Sequence, residues 1–198
     1  MFVMMNQARF GVGMQGVAIA DRAYQLASSY ARERIQGKPA GAAKDGTTPG
    51  IVGHPDVRRM LMTMRAYAEA ARAICYVTAA ALDRAGHHLE PGVRRSELTF
   101  AELMIPIVKG WSTEIAQKVA YLGVQVHGGM GFIEETGAAQ FARDARITTI
   151  YEGTTGIQAN DFVGRKIARD EGQVLAAALV KAREVQQALA QSRDETLV

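Results

Sequence analysis

Arg143-Asp144-Ala145-Arg146-Ile147-Thr148-Thr149-Ile150-Tyr151-Glu152-Gly153-Thr154-Thr155-Gly156-Ile157-Gln158 reads as a helix end, a sharp connection and a fresh helix start. Thr155 and Gln158 have the S/T-x-x-E/Q spacing of a capping box, in which each side chain satisfies a backbone N–H near the other. Gly153 and Gly156 give the backbone room that a residue with a Cβ denies it. The spacing therefore predicts Glu152 on a constrained turn before a helix N-terminus, flanked by Ile150 and Tyr151. Two readings of this carboxylate stand. Shielded from water, such a group becomes a stronger base and suits proton abstraction. Left on the surface, it does no more than favour the positive end of the helix dipole.

The segments around this turn are helical in period. From about Phe2 to Gln36, apolar Val17, Ala20, Tyr24, Ala27 and Ala31 recur at three- and four-residue steps, with Gly37 expected as the C-cap and Pro39 just beyond. Inside this segment, Gly11-Val12-Gly13-Met14-Gln15-Gly16 matches G-x-G-x-x-G letter for letter. A dinucleotide fingerprint needs a preceding strand, and none is present, so close helix–helix approach is the reading adopted. Residues 37–53 read as a surface loop rich in Gly, Pro, Ala and Thr. His54-Pro55-Asp56 starts a second helix, whose stripe of Met60, Leu61, Met64, Ala68, Ala71, Cys75 and Leu82 reads as core. Gly86 to Pro91 reads as a solvated connection rather than a metal site, because adjacent His87 and His88 do not project to one side.

A third helix is expected from about Ser96 to His127, kinked or split at Pro106 and ended by Gly128-Gly129-Met130-Gly131. Shorter helices are expected over 140–147, 155–167 and 170–191, with a frayed tail. No convincing alternating strand occurs. The expected architecture is all-α, an antiparallel helix bundle.

Composition fits a globular domain: 198 residues, 48% hydrophobic and 22% charged. The net charge is only +3, and Arg and Lys alternate with Glu and Asp, which disfavours nucleic acid as a partner. The single Cys75 has apolar neighbours and is expected to be a buried thiol, in keeping with a reducing, cytoplasmic setting. No run approaches the roughly 20 apolar residues of a membrane helix.

Ile150-Tyr151-Glu152-Gly153-Thr154, preceded by Arg143-Asp144-Ala145-Arg146, resembles the catalytic segment of the acyl-CoA dehydrogenase family. Gln125-Val126-His127-Gly128-Gly129-Met130-Gly131-Phe132 resembles a second family segment in the same order and at the same separation. Lys109-Gly110-Trp111-Ser112-Thr113-Glu114 and His54-Pro55-Asp56-Val57-Arg58-Arg59 are similar to the branch with 3-methylmercaptopropionyl-CoA dehydrogenase-like members. The resemblance runs from about Met5 to Arg169.

It implies the C-terminal helical FAD-binding and oligomerisation domain of a larger enzyme, over residues 1–198, with the N-terminal helical and middle β-domains absent from this chain. It implies FAD as cofactor and dehydrogenation of an acyl-CoA to the trans-2-enoyl-CoA, with Glu152 as the base. Arg34, Gln125, His127, Gly128, Gly129 and Thr154 are the implied cofactor contacts, and Tyr151 and Gly153 are implied to lie beside substrate. No metal is implied. The implied partners are an electron-transfer flavoprotein and further copies of the chain, as a homodimer or dimer of dimers. The competing classes are a helical oligomerisation module and a flavoprotein of this fold without dehydrogenase activity.

Overall fold

The computed structural model describes residues 2–39 and 49–191, and the side chains from residue 4 onward. The expected loop at 40–48 and the tail at 192–198 lie outside the described residues. Three long helices dominate: α1 (Phe2–Glu33), α2 (Pro55–His87) and α3 (Pro91–His127). Short helices follow: α4 (Gly129–Phe132), α5 (Ala138–Thr148), α6 (Thr155–Asp161) and α7 (Gln173–Ala190), with a π-turn over Phe162–Ile167 between the last two. No strand forms among the described residues, and the expected all-α bundle is what the chain adopts.

α3 is the central helix, packed against both α1 and α2. Small residues make this possible. Ala20, Ala23, Ala27 and Ala31 line α1 and are buried. A Cβ at Gly13 would lie 2.9 Å from the Val108 carbonyl oxygen, and one at Gly16 would lie 2.9 Å from that of Ser112. Two of the glycines in the G-x-G-x-x-G pattern thus let two helix backbones meet, as the sequence suggested, while Gly11 faces open space. α2 supplies the bulk: Met60, Leu61 and Met64 are buried, so the methionine stripe is core. Cys75 is a buried free thiol 3.8 Å from the Ser112 hydroxyl, and burial pushes its pKa upward.

Several boundaries differ from the sequence expectation. α1 ends at Glu33, so Gly37, at φ +65, lies beyond the helix rather than capping it. The carbonyl of Arg34 instead accepts the N–H of Ile51, and His54 bonds the carbonyl of Gln36. α2 runs on through Gly86 and His87, and α3 begins at Pro91, five residues before Ser96. Proline at the first helical position loses no bond that a helix start would make. The connection therefore shrinks to His88–Glu90, where His88 Nδ1 accepts the Glu90 N–H at 3.1 Å. Pro106 does not split α3, which is continuous over 37 residues. Its ring is buried, so tertiary packing holds a helix that has lost one backbone bond. The segment expected as one helix over 155–167 changes from α to π geometry after Asp161. No helix among the described residues is long and apolar enough to cross a membrane.

Candidate active site at the turn between α5 and α6

The turn after α5 starts with the N–H groups of Ile150 and Tyr151, which both return to the Ile147 carbonyl. Thr148 is buried and donates to the Ala145 carbonyl at 2.7 Å, tightening the same helix end. Glu152 then adopts φ +54 and Gly153 φ +92, two successive residues in the left-handed region. Glycine takes this conformation freely, whereas a residue with a Cβ does so at roughly 1–2 kcal/mol. Surrounding bonds must therefore hold Glu152 in place.

Those bonds come from three helices. From α1, Gln15 accepts a hydrogen bond from the Tyr151 hydroxyl. From α3, the Lys109 ammonium donates to the Gly153 carbonyl at 2.5 Å, and Glu114 accepts from the Thr155 hydroxyl at 2.6 Å. From α6, the Gln158 amide donates to the carbonyls of Glu152 and Gly153 at 3.3 and 3.2 Å. The expected capping box is thereby corrected. The N-cap is Thr154, whose hydroxyl oxygen accepts the Ile157 N–H, and Gln158 turns back onto the turn's carbonyls instead. Helix α6 starts one position earlier than a Thr155 cap requires, which leaves Thr155 free to pair with α3.

Glu152 is half-buried, and the preceding Ile150 and Tyr151 are 44% and 36% exposed. The described residues do not supply the shielding that a strong base needs. A further observation concerns Lys109 itself, which has no exposed surface. Its pKa is pushed down by burial and by the Arg9 charge, against the upward pull of Glu114 and Glu152.

The other candidate residues lie elsewhere. Gln125, Gly128 and Gly129 sit exposed where α3 gives way to α4, with Gly128 at φ +59. The His127 ring is buried, stacked on Tyr30 at 4.3 Å and bonded to the Gly123 carbonyl at 2.7 Å. This contact brings the end of α1, and with it exposed Arg34, to the end of α3. Sixteen residues of helix separate Lys109 from Gln125, about 24 Å at 1.5 Å each. The structure therefore forms two groups, Tyr151–Thr154 at mid-bundle and Arg34 with Gln125–Gly129 at one end.

In the sequence, Lys109 and Glu114 stand only within one segment that resembles the family, and no local spacing marks Gln15 or Glu114 as a support of the turn. A signal for Lys109 existed. It occupies the helical stripe of Ile105, Val108, Ser112 and Ile115, where a lysine is out of place unless it has a buried partner.

Residues 2–167 match the family model of the acyl-CoA dehydrogenase C-terminal domain. The chain belongs to the acyl-CoA dehydrogenase family. It is 58% identical to the 3-methylmercaptopropionyl-CoA dehydrogenase of Ruegeria pomeroyi, over 87% of this chain and 29% of that protein. It is 42% identical to a broad-specificity linear acyl-CoA dehydrogenase of Mycobacterium tuberculosis, over 89% of this chain and again 29% of the relative. A solved acyl-CoA dehydrogenase of Bacillus anthracis, complexed with FAD, superposes with a TM-score of 0.72 at 28% identity, covering 96% of this chain and 31% of that one. The chain thus spans under a third of the length of these acyl-CoA dehydrogenases.

Proposed function

We propose that this chain is the C-terminal helical domain of a larger acyl-CoA dehydrogenase, and that Glu152 is the base that removes the proton α to the thioester. The observation that carries the reading is the turn at Glu152 and Gly153, left-handed at both residues and held by donors from α3 and α6. A strained conformation with this much support suits a side chain whose direction matters. The nearby exposed Ile150 and Tyr151 would help to exclude water once a substrate or a neighbouring domain covers them.

The residues fit FAD. A Cβ at Gly128 or Gly129 would meet nothing within 4 Å among the described residues, so their surface is open to close approach by another group. The Thr154 hydroxyl accepts from Ile157 and keeps its own proton for a donor bond outward. Exposed Arg34 offers a fork of N–H donors to phosphate or ring oxygens. In this reading Arg34, Gln125, the backbone of His127, Gly128 and Gly129, and Thr154 would hold FAD, while Tyr151 and Gly153 would border the substrate. A bound FAD would supply N5 as the acceptor of the β-hydrogen, which leaves as hydride. Glu152 meanwhile takes the α-proton, and the product is the trans-2-enoyl-CoA.

The two groups of candidate residues, about 24 Å apart along α3, support an assembly. One group would serve the chain's own site and the other the cofactor of a neighbouring subunit, in a homodimer or dimer of dimers. The proposal includes an electron-transfer flavoprotein as acceptor and a cytoplasmic setting. Because Glu152 is half-exposed here, the isolated chain is expected to be inactive.

The test is anaerobic flavin bleaching by several acyl-CoAs in the complete flavoprotein, wild type against Glu152→Gln. Bleaching of the wild type, with at least a 100-fold slower variant, supports the base. Equal bleaching of both would move the base elsewhere.

A further inference from the structure

We propose that Lys109 is a positioning residue for Glu152, its buried ammonium fixing the left-handed turn that aims the carboxylate. The inference rests on the reading of Glu152 as the base. It adds a residue on a different helix to the machinery.

Lysine is a costly choice for this position. The side chain has no exposed surface, and a charge taken out of water is retained only where partners repay its lost hydration. A methionine of similar length would fill the same space without that cost. The ammonium has a specific employment, since it donates to the carbonyl of Gly153, the residue directly after Glu152. That carbonyl belongs to the second of two left-handed residues, one peptide unit beyond Glu152, so fixing it fixes the turn from which the Glu152 side chain projects. The Gln158 amide reaches this oxygen and that of Glu152 from α6. Both carbonyls of the turn are thus pinned, one of them by a charged donor.

The charges around Lys109 fit this role. Arg9, from α1, opposes its protonation, whereas Glu114 on α3 and Glu152 on the turn favour it. An ammonium so placed also attracts the Glu152 carboxylate through a poorly polarisable interior. Removing it should leave the fold and the remote cofactor contacts at Arg34 and Gln125–Gly129 in place but let the turn relax, because Gln125 lies about 24 Å along α3 from Lys109. A misplacement near 1 Å is enough to slow a positioned reaction by about 100-fold.

The experiment uses the complete flavoprotein with FAD bound, comparing wild type with Lys109→Met, Lys109→Gln and Thr113→Val. Thr113 is buried one helical turn away and donates to the Lys109 carbonyl, so its variant measures loss of core stability without touching the turn. The expected result for Lys109→Met is FAD retained through Arg34 and Gln125–Gly129, KM within twofold, and flavin reduction slowed about 10- to 100-fold. Lys109→Gln, which keeps an uncharged donor, should recover part of that loss and stands in if the methionine variant folds poorly. Wild-type reduction rates in both Lys109 variants would overturn the inference. So would a loss no larger than that of Thr113→Val, or one carried by KM alone. A wild type that does not reduce its flavin, or a Glu152→Gln variant that does so normally, would overturn the reading of Glu152 and this inference with it.

Discussion

Glu152 and Gly153 show how two neighbouring residues with the same sign of φ carry different burdens. Gly153, at φ +92, could not carry a Cβ without meeting the Gln158 amide nitrogen at 2.8 Å. Gly153→Ala is therefore expected to lose both conformational ease and the Gln158 bonds, at about 2–3 kcal/mol of stability from strain and a lost hydrogen bond. Glu152→Gly, by contrast, relieves a left-handed residue of its Cβ and should cost little or even stabilise. Urea titration of the two variants checks the pair, and an unchanged midpoint for Gly153→Ala would contradict the packing described. The turn that carries the candidate base was legible in the sequence because glycines and threonines punctuate it, and the role of Glu152 came from the resemblance to the family. Its supports were not. Gln15, Lys109 and Glu114 lie between 41 and 136 positions from the residues they hold, and no local spacing reports such pairs.

Among the elements, α1 and α3 decide how closely the bundle can pack. The helical period of their apolar residues was readable at once, but their ends were not. Gly37 and the run at Gly86 look like stop signals, yet α1 stops sooner and α2 continues past Gly86. At the end of α1 the Arg34 carbonyl takes the Ile51 N–H instead of a further helical bond, whereas past Gly86 the helix simply keeps its own ladder, with His88 N–H on the Arg84 carbonyl. Within α1 the glycines separate cleanly by what they face. A Cβ at Gly16 would lie 2.9 Å from the Ser112 carbonyl oxygen, whereas exposed Gly11 faces nothing within 4 Å. Gly11→Ala should stabilise the chain by roughly 0.5–1 kcal/mol, because alanine is the better helix former. Gly16→Ala gains the same propensity but must push two backbones apart, and a net loss of about 1–3 kcal/mol is expected. Thermal unfolding of the two variants in parallel should move the melting temperature in opposite directions. Shifts of the same sign would mean that α1 and α3 do not meet at Gly16.

On the scale of the molecule, one buried ion pair ties the first helix to the last residue of α6. The Arg9 guanidinium contacts the Asp161 carboxylate at 2.6 Å, across 152 positions, with both side chains less than a tenth exposed. Arg165 pairs with the other oxygen of the same carboxylate at 2.7 Å. The bond lies where α6 turns into the π segment, so it anchors the chain just after the candidate site. Asp161→Leu would leave the Arg9 charge buried beside an apolar side chain, and breaking one side of such a pair costs about 3–5 kcal/mol. Arg9→Met should cost less, since Asp161 keeps Arg165. The double variant, with no buried charge to satisfy, should regain most of the stability lost by Asp161→Leu alone. A double-mutant cycle by urea unfolding measures this directly. Additive losses would mean that the two groups do not depend on each other. A coupling of several kcal/mol would place the closure of the bundle, and the support of the Glu152 turn beside it, on a contact between residues at opposite ends of the sequence.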